Sequence, residues 1–347
     1  MLPRRKTDAQ AKPQSVLNVV LAVKRTHGRA GYSMMVSTSQ LALVLNGAKR
    51  AYIMEHGPES LAPDRKEPYN PGVMAAVRGL ALGTRIAGYS LDWTAVIFVV
   101  CWGAINLTRE AGFRKAEVTV TDGAAFGLCS LSFASISWRI GGILYAAPTV
   151  AALNSLAEGD AVCVKPNVAK NDQHGEAYSS HPIWIPFVES VFSAATSLRD
   201  IELLFVVSPT ARATTPLFPT SLRERAPLTG ALLDKVHSAL FTAALGPEKA
   251  KCFSVHSGRI ELACRLLGAG APPGLIQALV RWKSAESLAV YARINPDDYM
   301  KWIRRAAAAD PSSVQSHNLP TIDWDLSALN AAGVAGAALT ETMANRQ

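Results

Sequence analysis

The change of hydrophobic period near residue 131 constrains the fold of this chain more than any other feature. Before it, apolar residues recur at helical spacing, whereas Ile136, Trp138 and Ile140 alternate with polar residues. Alternation with a period of two is typical of a half-buried strand. Helical spacing returns after residue 188. The pattern therefore predicts a mainly α fold with a small antiparallel β-sheet, in the α+β class.

Two further segments are expected to complete the sheet. AVCVKPNVAK from Ala161 and HPIWIP from His181 have strand character, and the polar run NDQHGEAYSS separates them. Pro166 cannot donate a ladder hydrogen bond, so we expect its strand at an edge or at a bulge. The run IELLFVVS from Ile201 is expected to be an apolar strand or another buried segment.

Helices are predicted wherever apolar residues recur at i, i+3 and i+4 behind a polar cap. Their approximate ranges are 15–29, 39–57, 71–82, 92–107, 188–200, 232–245, 255–267, 274–282, 285–294 and 296–308. Prolines and charges between the second and third helices predict a linker. The predicted organisation is a short helical domain over 1–62, a linker over 63–70, a large domain over 71–310 and a tail over 311–347.

Composition narrows the classes of partner. The chain has 347 residues, of which 49% are hydrophobic, so it can bury a sizeable core. Its 35 Lys and Arg against 27 Asp and Glu give a net charge of +8, which favours a polyanionic partner. Five cysteines without a C-x-x-C pair indicate reduced thiols inside a cell. The longest apolar run, 93–107, is too short for a membrane span, so no membrane partner is expected.

The stretch from Cys252 to Asn295 carries the chemistry. His256 and Arg259 are three residues apart, so on a helix they lie on one face and can approach the same small anion. Trp282 and Tyr291 follow on later predicted helices. Cys252 and His256 have no second ligand pair at zinc spacing, so no metal site is predicted.

The set His256-x-x-Arg259, Trp282 and Tyr291 resembles the C-terminal catalytic motif of the tyrosine recombinases, the phage-integrase family. The phrase HSGRIELA…RWKSAESLAVYARIN is its most specific part, and it is similar to members from eukaryotic mobile elements. The resemblance extends over residues 67–302. It implies an integrase-like catalytic domain preceded by a short helical DNA-binding domain.

Upstream residues fit the same resemblance. Gly112, Arg114 and Glu117 match the G-x-R-x-x-E context of the family's first catalytic arginine, with Glu117 in a supporting role. The family also uses a lysine on a β-hairpin, for which Lys170 is the first choice and Lys165 the rival. The interval from Arg114 to this lysine is long, which implies an insertion around 141–160.

The resemblance implies a role for each residue. Arg114 and Arg259 hold the non-bridging oxygens of a phosphodiester, because a guanidinium forms forked, charge-assisted bonds. Tyr291 attacks the phosphorus, and His256 accepts its proton, since a tyrosine with a pKa near 10 needs a base. Lys170 protonates the leaving oxygen. Trp282 donates its indole N–H to the phosphate, where many members have His. Tyr299 is a rival nucleophile at a poorer spacing.

The implied function is breaking and rejoining double-stranded DNA through a 3′-phosphotyrosyl intermediate, with no metal, ATP or small-molecule cofactor. A homo-tetramer on DNA and a location with DNA are implied: the nucleus in a eukaryote, or the cytoplasm and nucleoid in a bacterium. Two alternatives stay open. One is a catalytically silent DNA-binding protein domesticated from a mobile element, favoured by an N-terminal region with fewer helices than the family's clamp. The other is a relaxing activity like that of type IB topoisomerases.

Overall fold

A computed structural model of the chain describes residues 13–32, 38–57, 66–127, 130–166, 182–281 and 296–310. The predictions for Lys170, Trp282, Tyr291 and the tail lie outside these residues. The chain divides into two compact units, Met1–Arg65 and Lys66–Gln347. The described residues are mainly helical with small antiparallel sheets, which confirms the α+β class.

The first unit contains two helices, α1 over Pro13–Arg29 and α2 over Thr38–His56. Both begin and end within two residues of the predicted ranges, and they contact each other. Their burial is shallow. Leu43 and Val44 on α2 are 72% and 70% exposed, because two helices cannot enclose a core.

The second unit contains two clusters of buried apolar residues, and the last three of its described helices form the smaller cluster. The unit carries all the described helices after α2. They are α3 (Pro71–Arg78), α4 (Val96–Ala111), α5 (Lys115–Val118), α6 (Val150–Asn154), α7 (Ala194–Phe205), α8 (Gly230–Leu245), α9 (Pro247–Ala250), α10 (Ser257–Gly268), α11 (Pro273–Val280) and α12 (Pro296–Ala308). Among the described residues, none of these helices is both long and apolar enough to cross a membrane.

Two sheets belong to the second unit. The smaller pairs β1 (Arg85–Ile86) with β2 (Tyr89–Ser90). The larger contains β3 (Ile136–Ile140), β4 (Ile143–Tyr145), β5 (Ala161–Val164) and β6 (Ile183–Pro186), in the order β4-β3-β5-β6. All of its pairs are antiparallel, with Trp138 opposite Val162 and Val162 opposite Ile185. The strand that the alternation of Ile136, Trp138 and Ile140 predicted is confirmed as β3.

Helix α4 is the centre of this unit, and α7 and α10 pack against it. Most of its residues are buried on every face. The crossing with α10 is so close that a Cβ at Gly258 would lie 2.7 Å from Thr108 Oγ1 and 3.0 Å from the Arg109 backbone nitrogen. Glycine between His256 and Arg259 is therefore what lets this segment lie directly on α4.

Several local predictions were wrong. The run from Ile201 does not begin with a strand, because it continues α7 as far as Phe205. Helix α7 itself begins at Ala194, after the N-cap Ser193, and not at residue 188 as expected. Pro166 lies two residues beyond β5, which is an inner strand, so its strand is at neither an edge nor a bulge. The stretch 141–160 holds β4 and α6, and the insertion expected there stays a prediction.

Candidate active site

The site is built where α4 ends. Gly112 caps α4 in the left-handed conformation, with φ 63°, and a Cβ there would lie 3.1 Å from Leu262 Cδ2 and 3.4 Å from Val280 Cα. Both the dihedral and the lack of space favour glycine. The carbonyl oxygen of Gly112 accepts hydrogen bonds from Arg259 Nη1 and, at 3.1 Å, from Arg281 Nη2. One peptide group thus receives two guanidinium groups.

Arg114 and Glu117 form the next part of the site. Arg114 is the N-cap of α5, and its backbone N–H donates to Glu117 Oε2 at 2.6 Å, while its Nη1 lies 3.2 Å from Glu117 Oε1. Its Nη2 donates to the carbonyl oxygen of Arg281 at 3.0 Å. The Arg114 side chain is still 24% exposed. The spacing that resembled the family motif is therefore also a local capping arrangement.

Arg281 joins this part to α11. It is 4% exposed, has φ 57°, and its guanidinium lies 4.3 Å from the centroid of the Phe113 ring. Its Nη2 and Nη1 lie 2.8 and 3.3 Å from the two carboxylate oxygens of Glu117. A positive φ costs a residue with a Cβ about 1–2 kcal/mol, so these contacts outweigh a backbone penalty.

Arg259 is the third arginine of the site, with Arg114 and Arg281. It is 3% exposed, and its Nη2 donates to the carbonyl oxygen of Val280 at 2.7 Å, while Nη1 donates to Gly112. It thereby ties the ends of α4 and α11 to α10. We call the group formed by Arg114, Glu117, Arg259 and Arg281 around the Gly112 carbonyl the arginine junction.

His256 stands beside the junction and is exposed to solvent. Part of its ring is nevertheless withdrawn from water, and this burial lowers the pKa of His256, with the charges of Arg259 and Arg114 acting in the same direction. The neutral imidazole is therefore favoured at neutral pH, and a neutral imidazole can accept a proton. The residues that the sequence placed on one helix face thus share one electrostatic environment.

A second hydrogen-bonded group fixes the chain just before His256. The hydroxyl of Tyr69 donates to the carbonyl oxygen of Ser254 at 2.6 Å and lies 2.7 Å from His237 Nε2. Because that hydroxyl has a single proton, His237 must donate to it through Nε2. Burial lowers the pKa of His237 to about 3, so this histidine stays neutral. Ser254 is further held by its N–H, which donates to Ser257 Oγ at 3.1 Å.

The rival residues differ in what the structure shows of them. Lys165 is exposed just after β5, and its backbone N–H donates to the carbonyl oxygen of Ser135 at 2.7 Å. Lys170 lies outside the described residues, so the choice between the two lysines stays open. Tyr299 on α12 is partly buried, and this burial raises its pKa, against the opposing charge of Arg281. A phenolate at Tyr299 is therefore disfavoured.

The sequence analysis located Arg114, Glu117, His256 and Arg259, and the structure brings all four together from segments far apart in the chain. It missed Arg281. Arginine next to tryptophan carries no local signal, and a left-handed residue is usually announced by glycine or asparagine. Over the ranges that the structure describes, no three His, Cys, Asp or Glu side chains gather as a metal site.

Comparison with known proteins adds no family to this geometry. No protein-family model matches the sequence, and no curated protein matches it. The resemblance to tyrosine recombinases therefore rests on the residues of this chain alone, and membership of that family stays a prediction.

Proposed function

We propose that this protein is a tyrosine-type DNA recombinase, which cuts and rejoins DNA through a 3′-phosphotyrosyl intermediate on Tyr291. The observation that carries the proposal is the partly exposed guanidinium of Arg114, whose charge acts on the exposed imidazole of His256 at the arginine junction. At this point Arg114 can bind an anion while His256 accepts a proton from a hydroxyl. This is what attack of a hydroxyl on a phosphodiester requires.

Arg114 is the residue best placed to contact a phosphate. A guanidinium has five N–H donors, and those that bind Glu117 and the Arg281 carbonyl hold its plane in one orientation. Within the described part of the chain, its other N–H groups make no hydrogen bond. A phosphate oxygen arriving at this preorganised donor loses little free energy to reorganisation.

Arg259 supports the site differently from the expected phosphate contact. At 3% exposure, its fork is directed at the carbonyls of Gly112 and Val280. In this arrangement it contributes positive charge near the anion and fixes α10, which begins directly after His256. Direct contact with a phosphate would require it to exchange those carbonyls for phosphate oxygens.

His256 is the proposed base for the hydroxyl of Tyr291. Its lowered pKa keeps the imidazole neutral, while the same arginine charges that lower it favour a phenolate. Tyr299 is the weaker nucleophile, because its burial raises the pKa of its hydroxyl. In each cleavage step the phosphorus gains the tyrosyl oxygen and releases the 5′ oxygen, which takes a proton from a lysine, so the number of phosphoester bonds is conserved.

Double-stranded DNA is the proposed substrate. In residues 1–65, Lys and Arg outnumber Asp and Glu ten to four, so the first unit carries most of the net positive charge. A basic helical unit that precedes the second unit in the sequence fits a polyanion, whose binding weakens as salt rises. A tetramer on two duplexes is proposed from the resemblance.

A catalytically silent DNA-binding protein is the second candidate. The burial of Arg259 favours it, because a phosphate-binding arginine with its fork on backbone carbonyls must rearrange before it can act. DNA binding without cleavage is the behaviour this candidate predicts.

The test is incubation with supercoiled plasmid in EDTA, with detergent trapping of protein-linked DNA. The wild type, Tyr291→Phe and Tyr299→Phe are compared. The proposal predicts covalent adducts for the wild type and for Tyr299→Phe and none for Tyr291→Phe, with plasmid binding equal in all three. Binding by the wild type without any adduct, on plasmids carrying a random sequence library, would instead support the silent DNA-binding protein.

A further inference from the structure

We infer that Arg281 is a positioning residue of this site: its side chain and its backbone together hold Arg114 in the orientation in which Arg114 binds phosphate. The inference rests on the proposed function and adds a residue that neither the motif nor the spacing indicated. Arg281 is also the residue directly before Trp282 in the sequence.

The contacts of Arg281 form a closed loop with Arg114. The side chain of Arg281 donates to both oxygens of Glu117 at 2.8 and 3.3 Å. Glu117 in turn accepts from the backbone and the side chain of Arg114. Arg114 Nη2 returns a hydrogen bond to the Arg281 carbonyl at 3.0 Å. Movement of any one member therefore displaces the other two.

The backbone of Arg281 is part of this device. With φ 57°, Arg281 turns the chain at the end of α11. Its carbonyl oxygen, in this turn, accepts a hydrogen bond from Arg114. Glycine would adopt this conformation without strain, so an arginine here indicates that the side chain is needed. The Gly112 carbonyl and the face of Phe113 hold the guanidinium at two further points.

The chain contains a matched control for a purely structural role. Arg212 is also 4% exposed, binds both oxygens of Glu202 at distances of 2.6 to 2.9 Å, and lies 5.6 Å from the centroid of the Phe133 ring. It has the same burial, the same kind of partner and the same kind of aromatic neighbour. It differs in being part of the core, with no exposed arginine attached.

The experiment compares Arg281→Lys, Arg281→Gly and Arg212→Lys at a temperature where melting curves show all three folded. Adduct formation is measured at saturating DNA. We expect both Arg281 variants to slow adduct formation about 100-fold, since displacing a catalytic group by about 1 Å lowers the rate by about this factor. We expect Arg212→Lys to leave the rate within about twofold of wild type. The Lys variant keeps the charge and the Gly variant keeps the turn, so their shared loss isolates the guanidinium fork.

A readout without DNA separates this inference from the proposed function. The pKa of His256 is followed by NMR of labelled histidines, with His256→Gln to assign the signal. If Arg281 holds Arg114 beside the imidazole, the Arg281 variants raise the pKa of His256 towards 6.5 and Arg212→Lys leaves it unchanged. An unshifted pKa in the Arg281 variants, or an equal shift in Arg212→Lys, overturns the inference even if DNA is cut. A wild type that forms no adduct overturns the proposed function, and the titration still decides on Arg281.

Discussion

Two buried pairs of arginine and glutamate in this protein form the same kind of contact but differ in what else the glutamate binds. Glu202 accepts hydrogen bonds from both Nη atoms of Arg212. Arg212 Nη2 also donates to the Phe133 carbonyl at 2.8 Å, so these contacts of Arg212 lie within the core. Glu117 binds Arg281 in the same way but also binds Arg114, whose side chain is 24% exposed. One arrangement only packs α7, whereas the other presents an oriented cation to solvent.

The difference shows which observation points to function. A buried ion pair is weak evidence of a site, since structural pairs are common and contribute little net stability. What distinguishes the arginine junction is that its buried members fix a partly exposed one, near an exposed histidine. The same contrast separates His256 from His237, which is 4% exposed and serves to orient Tyr69.

The largest expected effect on stability comes from removing either carboxylate. Glu117→Gln and Glu202→Gln each leave a buried guanidinium without its counter-charge, so we expect each to lower the free energy of unfolding by about 3–5 kcal/mol. Denaturant unfolding measures this. Only Glu117→Gln is expected to slow adduct formation while the protein is folded. Equal slowing by Glu202→Gln would remove the distinction between the two regions.

Substitution of Arg114 is expected to lower the rate of adduct formation rather than the free energy of unfolding. Arg114→Lys keeps the charge but loses the fork, and loss of one such donor to a developing charge typically costs about 10²–10³-fold in rate. Arg199→Lys is the control, because Arg199 is 19% exposed and also ion-paired, but lies away from the junction. Single-turnover adduct formation is the measurement. A rate for Arg114→Lys equal to that of Arg199→Lys contradicts the role of Arg114.

The hydrogen bond that fixes the chain before His256 gives a smaller effect. Tyr69→Phe leaves the Ser254 carbonyl and His237 Nε2 without their buried partner, so we expect a loss of about 1–3 kcal/mol in the free energy of unfolding. Tyr89→Phe, at an exposed tyrosine, is expected to change it by less than about 0.5 kcal/mol. Thermal and denaturant unfolding of the pair decide this, and equal losses would contradict it.

The two histidines predict different pH dependences. His237 has a folded pKa of about 3 against an ordinary value of 6.5, so only the unfolded state binds its proton between these values. Its contribution to stability is therefore lost as pH falls below 6.5, by about 1 kcal/mol between pH 7 and pH 5.5. His237→Gln is expected to flatten that dependence, measured by unfolding at several pH values. An unchanged slope in the variant would contradict the assignment.

The proposed role of His256 predicts an effect on the rate rather than on stability. Because burial and the charges of Arg259 and Arg114 lower the pKa of His256 from its usual 6.5, adduct formation is expected to lose half its rate at a pH below 6.5. A pH–rate profile of the wild type measures the midpoint. Its movement towards 6.5 in Arg114→Gln, which removes the charge, would tie the titration to the junction, and a midpoint above 6.5 in the wild type would contradict it.

The fold was predictable where one periodicity dominated. Strand β3 shows clean alternation because one face packs on the core, and the alternation predicted a strand there. The run Ile201–Phe205 is apolar without a clear period, so it was compatible with strand and helix alike, and its place in α7 depends on packing against α4. Short elements such as β4 and α6 lack enough residues to carry a pattern.

The sequence predicted which residues gather at the site better than it predicted their arrangement. Spacing paired Arg114 with Glu117, but the expectation that His256 and Arg259 share one helix face was wrong, because His256 lies exposed in the turn before α10 and Arg259 is buried within α10. Arg281 was invisible because its role depends on a left-handed backbone and on Glu117, 164 residues away along the chain. The burial of Arg259 was equally hidden, since it follows from the close crossing of α10 over α4.

The most direct test of the account is to identify the residue that carries DNA. Wild-type protein is incubated with DNA in EDTA, trapped with detergent, treated with nuclease and protease, and the nucleotide-linked peptide is sequenced by mass spectrometry. The account predicts a phosphotyrosyl bond at Tyr291, in the peptide SAESLAVYAR. A nucleotide on Tyr299, or on no tyrosine while DNA is demonstrably cut, would contradict it.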